Sequence, residues 1–135
     1  MTSKFSTEIP VRPDDIDMFQ HVHNSRYLDY IQAGRYEQME RCYRMTMEEF
    51  MIMGYGWVVK KATLNFKRAL IMGDVMIVST QVQEIQGSDA IIDFEIVNKK
   101  SQKISCDGQM IYTMINLKTG RSEKIPDEIK EKYLV

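Results

Sequence analysis

Phe5 to Arg12 alternates apolar and polar residues and predicts a first strand, stopped by Pro13. A polar loop follows, Asp14-Asp15-Ile16-Asp17-Met18-Phe19-Gln20-His21-Val22-His23. From Tyr27 the period lengthens. Tyr27, Leu28, Ile31, Gly34, Gln38 or Met39, Cys42 and Met45 recur at helical spacing. They predict one amphipathic helix of about five turns, with Asn24 or Ser25 as its N-cap. Gly34 lies mid-helix, where glycine costs about 1 kcal/mol relative to alanine, so it predicts close approach between this helix and a sheet. Met45 to Gly56 reads as a short helical turn and a loop.

Strict alternation then takes over. Val58, Ala62, Leu64 and Phe66 form one apolar face, and Met76, Val78 and Val82 the next. Ala90, Ile92, Phe94 and Ile96 alternate with Asp93 and Glu95, and Ile104, Cys106, Gly108, Met110, Tyr112 and Met114 form the last face. Gly87-Ser88-Asp89 and Asn98 to Ser101 read as hairpin turns. Lys118-Thr119-Gly120-Arg121 ends the last strand, and Pro126 opens a short tail helix over Asp127 to Tyr133. Hairpin-linked strands with one apolar face make an antiparallel sheet, and the only long helix has an apolar stripe. The economical packing is a sheet wrapped around the helix, an α+β domain.

Composition narrows the setting. A chain of 135 residues, 44% apolar, fits one domain, 1–135, able to bury a core without disulfides. A net charge of -1, with both signs mixed along the chain, gives no electrostatic case for nucleic acid or an anionic membrane. Cys42 and Cys106 are far apart and form no CxxC pair, so both are expected as free thiols in a reducing compartment. Met1 to Pro10 has no apolar signal-peptide core, and no apolar run approaches the length of a membrane span. A cytoplasmic protein is expected.

The chemistry concentrates in Val11 to Arg35, VRPDDIDMFQHVHNSRYLDYIQAGR. Asp14, Asp15 and Asp17 crowd a loop just ahead of a helix. N–H groups at a helix start are unsatisfied and favour negative charge, so they can hold an oxyanion formed in acyl transfer. A carboxylate beside them can act as nucleophile or as general base for water. Aspartate is also common in turns and helix starts for structural reasons alone.

This segment resembles the signature of the 4-hydroxybenzoyl-CoA thioesterase family, hotdog-fold acyl-CoA thioesterases. The signature runs Arg, two residues, Asp-x-Asp, three residues, His-Val-Asn-Asn, two residues, Tyr. It maps onto Arg12, Asp15, Asp17, His21, Val22, His23, Asn24 and Tyr27. Leu64-Asn65-Phe66-Lys67-Arg68 with Gly73-Asp74, and Lys118-Thr119-Gly120-Arg121 with Ile125-Pro126, extend the likeness over nearly the whole chain. The resemblance implies a five-stranded antiparallel sheet around one central helix. It implies Asp17 as the catalytic carboxylate, Asp15 as a turn anchor, and a backbone N–H near Asn24 on the thioester carbonyl. It also implies a homodimer or homotetramer with the site at the dimer interface. His23 replaces the usual first Asn, which alters hydrogen bonding near Asp17 or adds a titratable group. Ala69 stands where a Pro often follows the Arg.

Other residues carry competing readings. His21 and His23, the only histidines, sit near Asp15 and Asp17, but no Cys or further His completes a ligand set, so no metal is expected. His21 is read as a support of the loop, with an assisting catalytic role for it or Asn24 as the alternative. Met47, Met51 and Trp57 would suit an acyl pocket, although ordinary core packing is the favoured reading of such a cluster. Lys67 and Arg68, at a strand's end, suit CoA phosphates. Lys60 falls on the apolar parity of that strand and Lys61 on the other, so the two are not expected to share one surface. No GxGxxG, P-loop or GxSxG occurs, and no cofactor is expected. The expected activity is hydrolysis of an acyl-CoA by Asp17, with His21 and Asn24 assisting and Tyr27, Trp57, Lys67 and Arg68 binding substrate. The alternatives are an acyl-[acyl carrier protein] thioesterase, dehydration of a hydroxyacyl thioester, and a non-catalytic acyl-CoA-binding module.

Overall fold

The computed structural model describes residues 2–135. Five strands, β1 (Lys4–Pro10), β2 (Tyr55–Phe66), β3 (Val75–Gln86), β4 (Asp89–Asn98) and β5 (Ile104–Asn116), form one sheet in the order β1-β3-β4-β5-β2. Every neighbouring pair is antiparallel. Three helices accompany it: α1 (Tyr27–Arg41), α2 (Met47–Ile52) and α3 (Asp127–Tyr133). This is the hotdog fold, a sheet curled around the long helix α1. No helix among the described residues is long and apolar enough to cross a membrane.

The helix lies on the face of the sheet that carries Met76, Val78, Ile92, Ile96, Met110 and Met114, all fully buried. Gly34 makes this approach possible: a Cβ placed there would sit 2.8 Å from Cγ1 of Val78. One turn further on, Gln38 is fully buried and satisfied. Its Nε2 donates to the Val78 carbonyl at 3.1 Å and to the Thr7 hydroxyl at 3.0 Å, and its Oε1 accepts from Thr80. The helix is thereby locked to β1 and β3 in one register.

Three boundaries differ from the sequence expectation. β1 stops at Pro10 rather than Arg12, because Val11 N–H turns to the Asp74 carbonyl and Arg12 N–H to the Tyr30 hydroxyl. The helix is shorter at both ends. Asn24–Arg26 forms a 3-10 turn with no side-chain cap from Asn24 or Ser25, and α1 ends at Arg41. Beyond it, Arg44 adopts a left-handed φ of 55°, so Cys42 and Met45 lie past the last turn. The short helical turn after it is α2, opened by a capping box between Thr46 and Glu49.

β2 departs most. A bulge between Val59 and Lys61 resets its alternation. Trp57, Val59 and Ala62 oppose Met114, Tyr112 and Met110, on the face toward the helix. Val58, expected on that face, instead opposes Thr113 on the outer one. Lys60 is carried outward too and pairs with Asp89 at 2.9 Å, beside Lys61, which opposes Ile111. The two lysines therefore do share a surface, contrary to strict parity. The tail helix α3 lies where predicted, with Tyr133 stacked on Tyr43 at 4.4 Å.

The contact at Gly34 has a measurable consequence. Alanine in place of glycine favours a helix by about 1 kcal/mol, but here its methyl would overlap a β-branched side chain in a packed core. Overpacking of this kind costs about 1–3 kcal/mol. Gly34→Ala is therefore expected to lower the urea midpoint, and a variant more stable than wild type would contradict the close approach.

Candidate active site

The loop ahead of α1 is built around Asp15. It is 6% exposed, and its Oδ2 accepts the Tyr30 hydroxyl at 2.6 Å. The same hydroxyl accepts the Arg12 N–H at 3.0 Å, and Arg26 Nε lies 3.6 Å from Asp15 Oδ1. His23 N–H donates to the Asp15 carbonyl, so both limbs of the loop meet here. Burial, with Asp15 as acceptor, pushes the Tyr30 phenol up to about 12.

Two residues on, Asp17 is held differently. Its Oδ1 accepts the N–H groups of Phe19 at 2.9 Å and His21 at 3.1 Å. Gln20, at a φ of 64°, closes this turn by donating its N–H to the Asp17 carbonyl. Among the described residues nothing donates to Oδ2. Desolvation raises the Asp17 pKa, but those two amides and the His21 and His23 imidazoles outweigh it, and the carboxyl lies below its usual 3.8. Near neutral pH it is an anion with one oxygen fixed and the other free.

That carboxylate lines an open cleft of about 440 Å³. Six of the residues singled out from the sequence meet around it: Asp17, His21, Asn24, Tyr27, Lys67 and Arg68. The 3-10 turn at Asn24 brings the start of the helical segment to the cleft, and the N–H groups of Asn24 and Ser25 have no intrahelical acceptor there. Tyr27 is buried, and its hydroxyl accepts the Leu70 N–H at 3.3 Å, which ties the Lys67–Leu70 segment to the helix. Lys67 pairs with Asp107 at 2.9 Å, whereas Arg68 has no carboxylate partner among the described residues.

Trp57 does not join them. It lines a separate cavity further along α1, with Met47, while Met51 is 59% exposed on α2. Other parts of the site carried no clear signal in the sequence. Phe66 lines the cleft and meets Tyr27 edge-on at 5.3 Å, yet it read only as the last apolar position of a strand. Tyr30, the hub of the loop, was hidden between Leu28 and Ile31 in the helical pattern. Its three-residue spacing from Tyr27 was the available signal.

The chain belongs to the thioesterase-like superfamily, whose family model matches residues 11–133. It is therefore a thioester hydrolase with the hotdog fold. Across 129 residues it is 26% identical to the long-chain acyl-CoA thioesterase FadM of Escherichia coli (strain K12), covering 93% of this chain and 94% of that protein. Over 134 residues it is 25% identical to the chloroplastic acyl-acyl carrier protein thioesterase ATL3 of Arabidopsis thaliana, covering 99% of this chain and 70% of that one. The solved structure of DHNA-CoA thioesterase from Staphylococcus aureus superposes with a TM-score of 0.88, at 17% identity, covering 96% of this chain and 88% of that one.

The Asp15–Tyr30 bond can be tested alone. Tyr30→Phe leaves a buried carboxylate oxygen and the Arg12 N–H without their partner, at a cost of about 1–3 kcal/mol. Urea unfolding should show that loss, and no loss would mean that the loop is held elsewhere.

Proposed function

We propose that this protein hydrolyses acyl-CoA thioesters to the free acid and CoA, with Asp17 as the catalytic carboxylate. The observation that carries the reading is the free Oδ2 of an ionised Asp17 in the same cleft as the unsatisfied amides at Asn24. The thioester carbonyl accepts an N–H there, which stabilises the oxyanion as it forms. Asp17 then acts in one of two ways. It attacks the carbonyl carbon, expelling the CoA thiolate and leaving a mixed anhydride that water opens. Alternatively it takes a proton from a water that attacks directly, and returns that proton to the thiolate. His21, whose N–H holds Oδ1, and Asn24 assist by keeping the carboxylate and the amide in place. Arg68, free of any carboxylate, and Lys67 meet the phosphates of CoA, and Tyr27 supports the segment that carries them.

The named activity of FadM favours CoA as the carrier. The likeness to ATL3 supports a second reading, an acyl group delivered on acyl carrier protein. The two carriers bearing one acyl chain would separate these readings by kcat/KM.

Self-association belongs to the same proposal. β2 is an edge strand with Val58 and Val59 43% and 37% exposed, and a long apolar edge is a template for pairing with another strand. Pairing of two copies there forms the homodimer. Met18 and Phe19, 87% and 72% exposed beside Asp17, then meet the partner at the mouth of the cleft. Two free cysteines suit a cytoplasmic enzyme.

Two experiments follow. Asp17→Asn is expected to keep the wild-type circular dichroism and lose turnover by roughly 100-fold or more in free-thiol release from a panel of acyl-CoAs. Wild-type kcat in that variant removes Asp17 from the chemistry. The double variant Val58→Asp, Val59→Asp should sediment as a monomer and lose activity with the interface. A dimer that survives it is built on another surface.

A further inference from the structure

A positive charge lies in the core of this protein with no negative charge against it. Arg35, in the middle of α1, is 7% exposed. Among the described residues no carboxylate pairs with it, and its Nη1 is buried without a hydrogen-bond acceptor. Its guanidinium lies over two aromatic rings, 5.5 Å from the centroid of Tyr43 and 5.9 Å from that of Tyr112. The ring faces offer weak attraction, and the acceptor beside the guanidinium is the Tyr43 hydroxyl, a single neutral oxygen that is itself buried with no other partner. A buried charge left in this way is costly, and an orphaned donor in a packed interior calls for a partner.

The same group borders a cavity of about 40 Å³ whose wall also includes Met39, Met47, Trp57, Ala90 and Tyr112. Trp57 contributes a second orphan: its indole Nε1–H is buried and has no acceptor. Gln32 Oε1, an acceptor on this wall, is already occupied by the Tyr112 hydroxyl at 2.6 Å. The site therefore has two donors to spare, one of them charged, inside an apolar surround. It suits a ligand that brings acceptor oxygens, a negative charge and a short apolar body. A cavity of this size has room for about three water-sized groups, enough for a carboxylate head and part of a chain. The adaptable side chains of Met39 and Met47 border the space into which more chain would extend.

We propose that this cavity is a second ligand site, specific for a short aliphatic carboxylate, with Arg35 and Trp57 Nε1–H as the donors to its oxygens. None of its lining residues lines the Asp17 cleft. Tyr27, at the cleft, and Arg35 are eight residues apart on one helix, or about 12 Å. The site thus stands whether or not Asp17 hydrolyses thioesters.

Trp57 is the only tryptophan of the chain, so its fluorescence reports on this cavity directly. Titration of the full protein with butyrate and hexanoate near neutral pH is expected to give a saturable change. Butylammonium and hexanol should give none, because they bring the wrong charge or none. Arg35→Met should weaken binding at least about tenfold, the loss expected for a charge-assisted hydrogen bond. Ala90→Val, which keeps both donors but fills part of the space, should weaken it as well, and decides the matter if Arg35→Met does not fold. Asp17→Asn should bind as wild type does. The proposal is overturned if no carboxylate saturates the signal, if butylammonium binds equally well, if binding survives unchanged in Arg35→Met or Ala90→Val, or if Asp17→Asn abolishes it.

Discussion

The hydroxyl of Tyr30 joins the reactive loop to the helix. It accepts from Arg12 N–H on the outgoing limb and donates to the Asp15 carboxylate, whose carbonyl receives the N–H of His23 on the returning limb. Tyr30 is fully buried, so these bonds are made away from competing water, where breaking one strands its partner. Asp17 lies two residues beyond Asp15 and is held locally through Oδ1 alone. Where its free oxygen sits relative to the helix start is decided at Tyr30. The anchoring carboxylate is thus neutralised within the fold, while its neighbour keeps one oxygen unengaged.

An anchor of this kind requires a helix that does not move. α1 meets that requirement through two residues poorly suited to a helix core on propensity or polarity alone. Gly34 admits Val78 where any larger residue would collide, and Gln38 saturates its amide with Val78, Thr7 and Thr80. The first sets the depth of the helix against the sheet and the second its register. Without the Gln38 network the register of the helix would rest on the Gly34–Val78 contact alone.

Much of this was legible in the residues themselves. Alternation located β3, β4 and β5 and their buried faces, because each has one dry side and its register shift, at Val82/Glu84 or Ile96/Val97, falls at the end of the apolar run. Gly34 announced the close approach because glycine in mid-helix needs a reason. The crowding of Asp14, Asp15 and Asp17 ahead of a helix left a structural and a catalytic reading open, and it was the resemblance to a family signature that singled out Asp17. What stayed hidden was nonlocal. The β2 bulge depends on pairing with a strand distant in sequence, β5, and it moved Val58 and Lys60 across the sheet. The end of α1 depends on the left-handed Arg44, a residue with no preference for that conformation. Trp57 and Asp17 seemed able to share a pocket because the one-dimensional pattern does not say how far along the helix each strand crosses.

Asp15 is buried ahead of α1 and Arg35 is buried within it, and the fold treats them unequally. Asp15 receives a short hydrogen bond from Tyr30 and has a guanidinium at 3.6 Å, so its carboxyl has partners within the chain. Arg35 has two ring faces and one neutral hydroxyl, that of Tyr43, and Trp57 Nε1–H on the same cavity wall is also without an acceptor. In a core where even Gln38 has every polar atom paired, insufficient packing is not a sufficient reason for this difference. An uncompensated buried charge is costly to the folded state, so stability alone supplies no reason for the guanidinium to be there. The proposed carboxylate ligand supplies an acceptor from outside the chain. On the two proposals the helical segment would serve two tasks along its length, with the amides of the Asn24 turn facing an oxyanion and Arg35 facing a carboxylate.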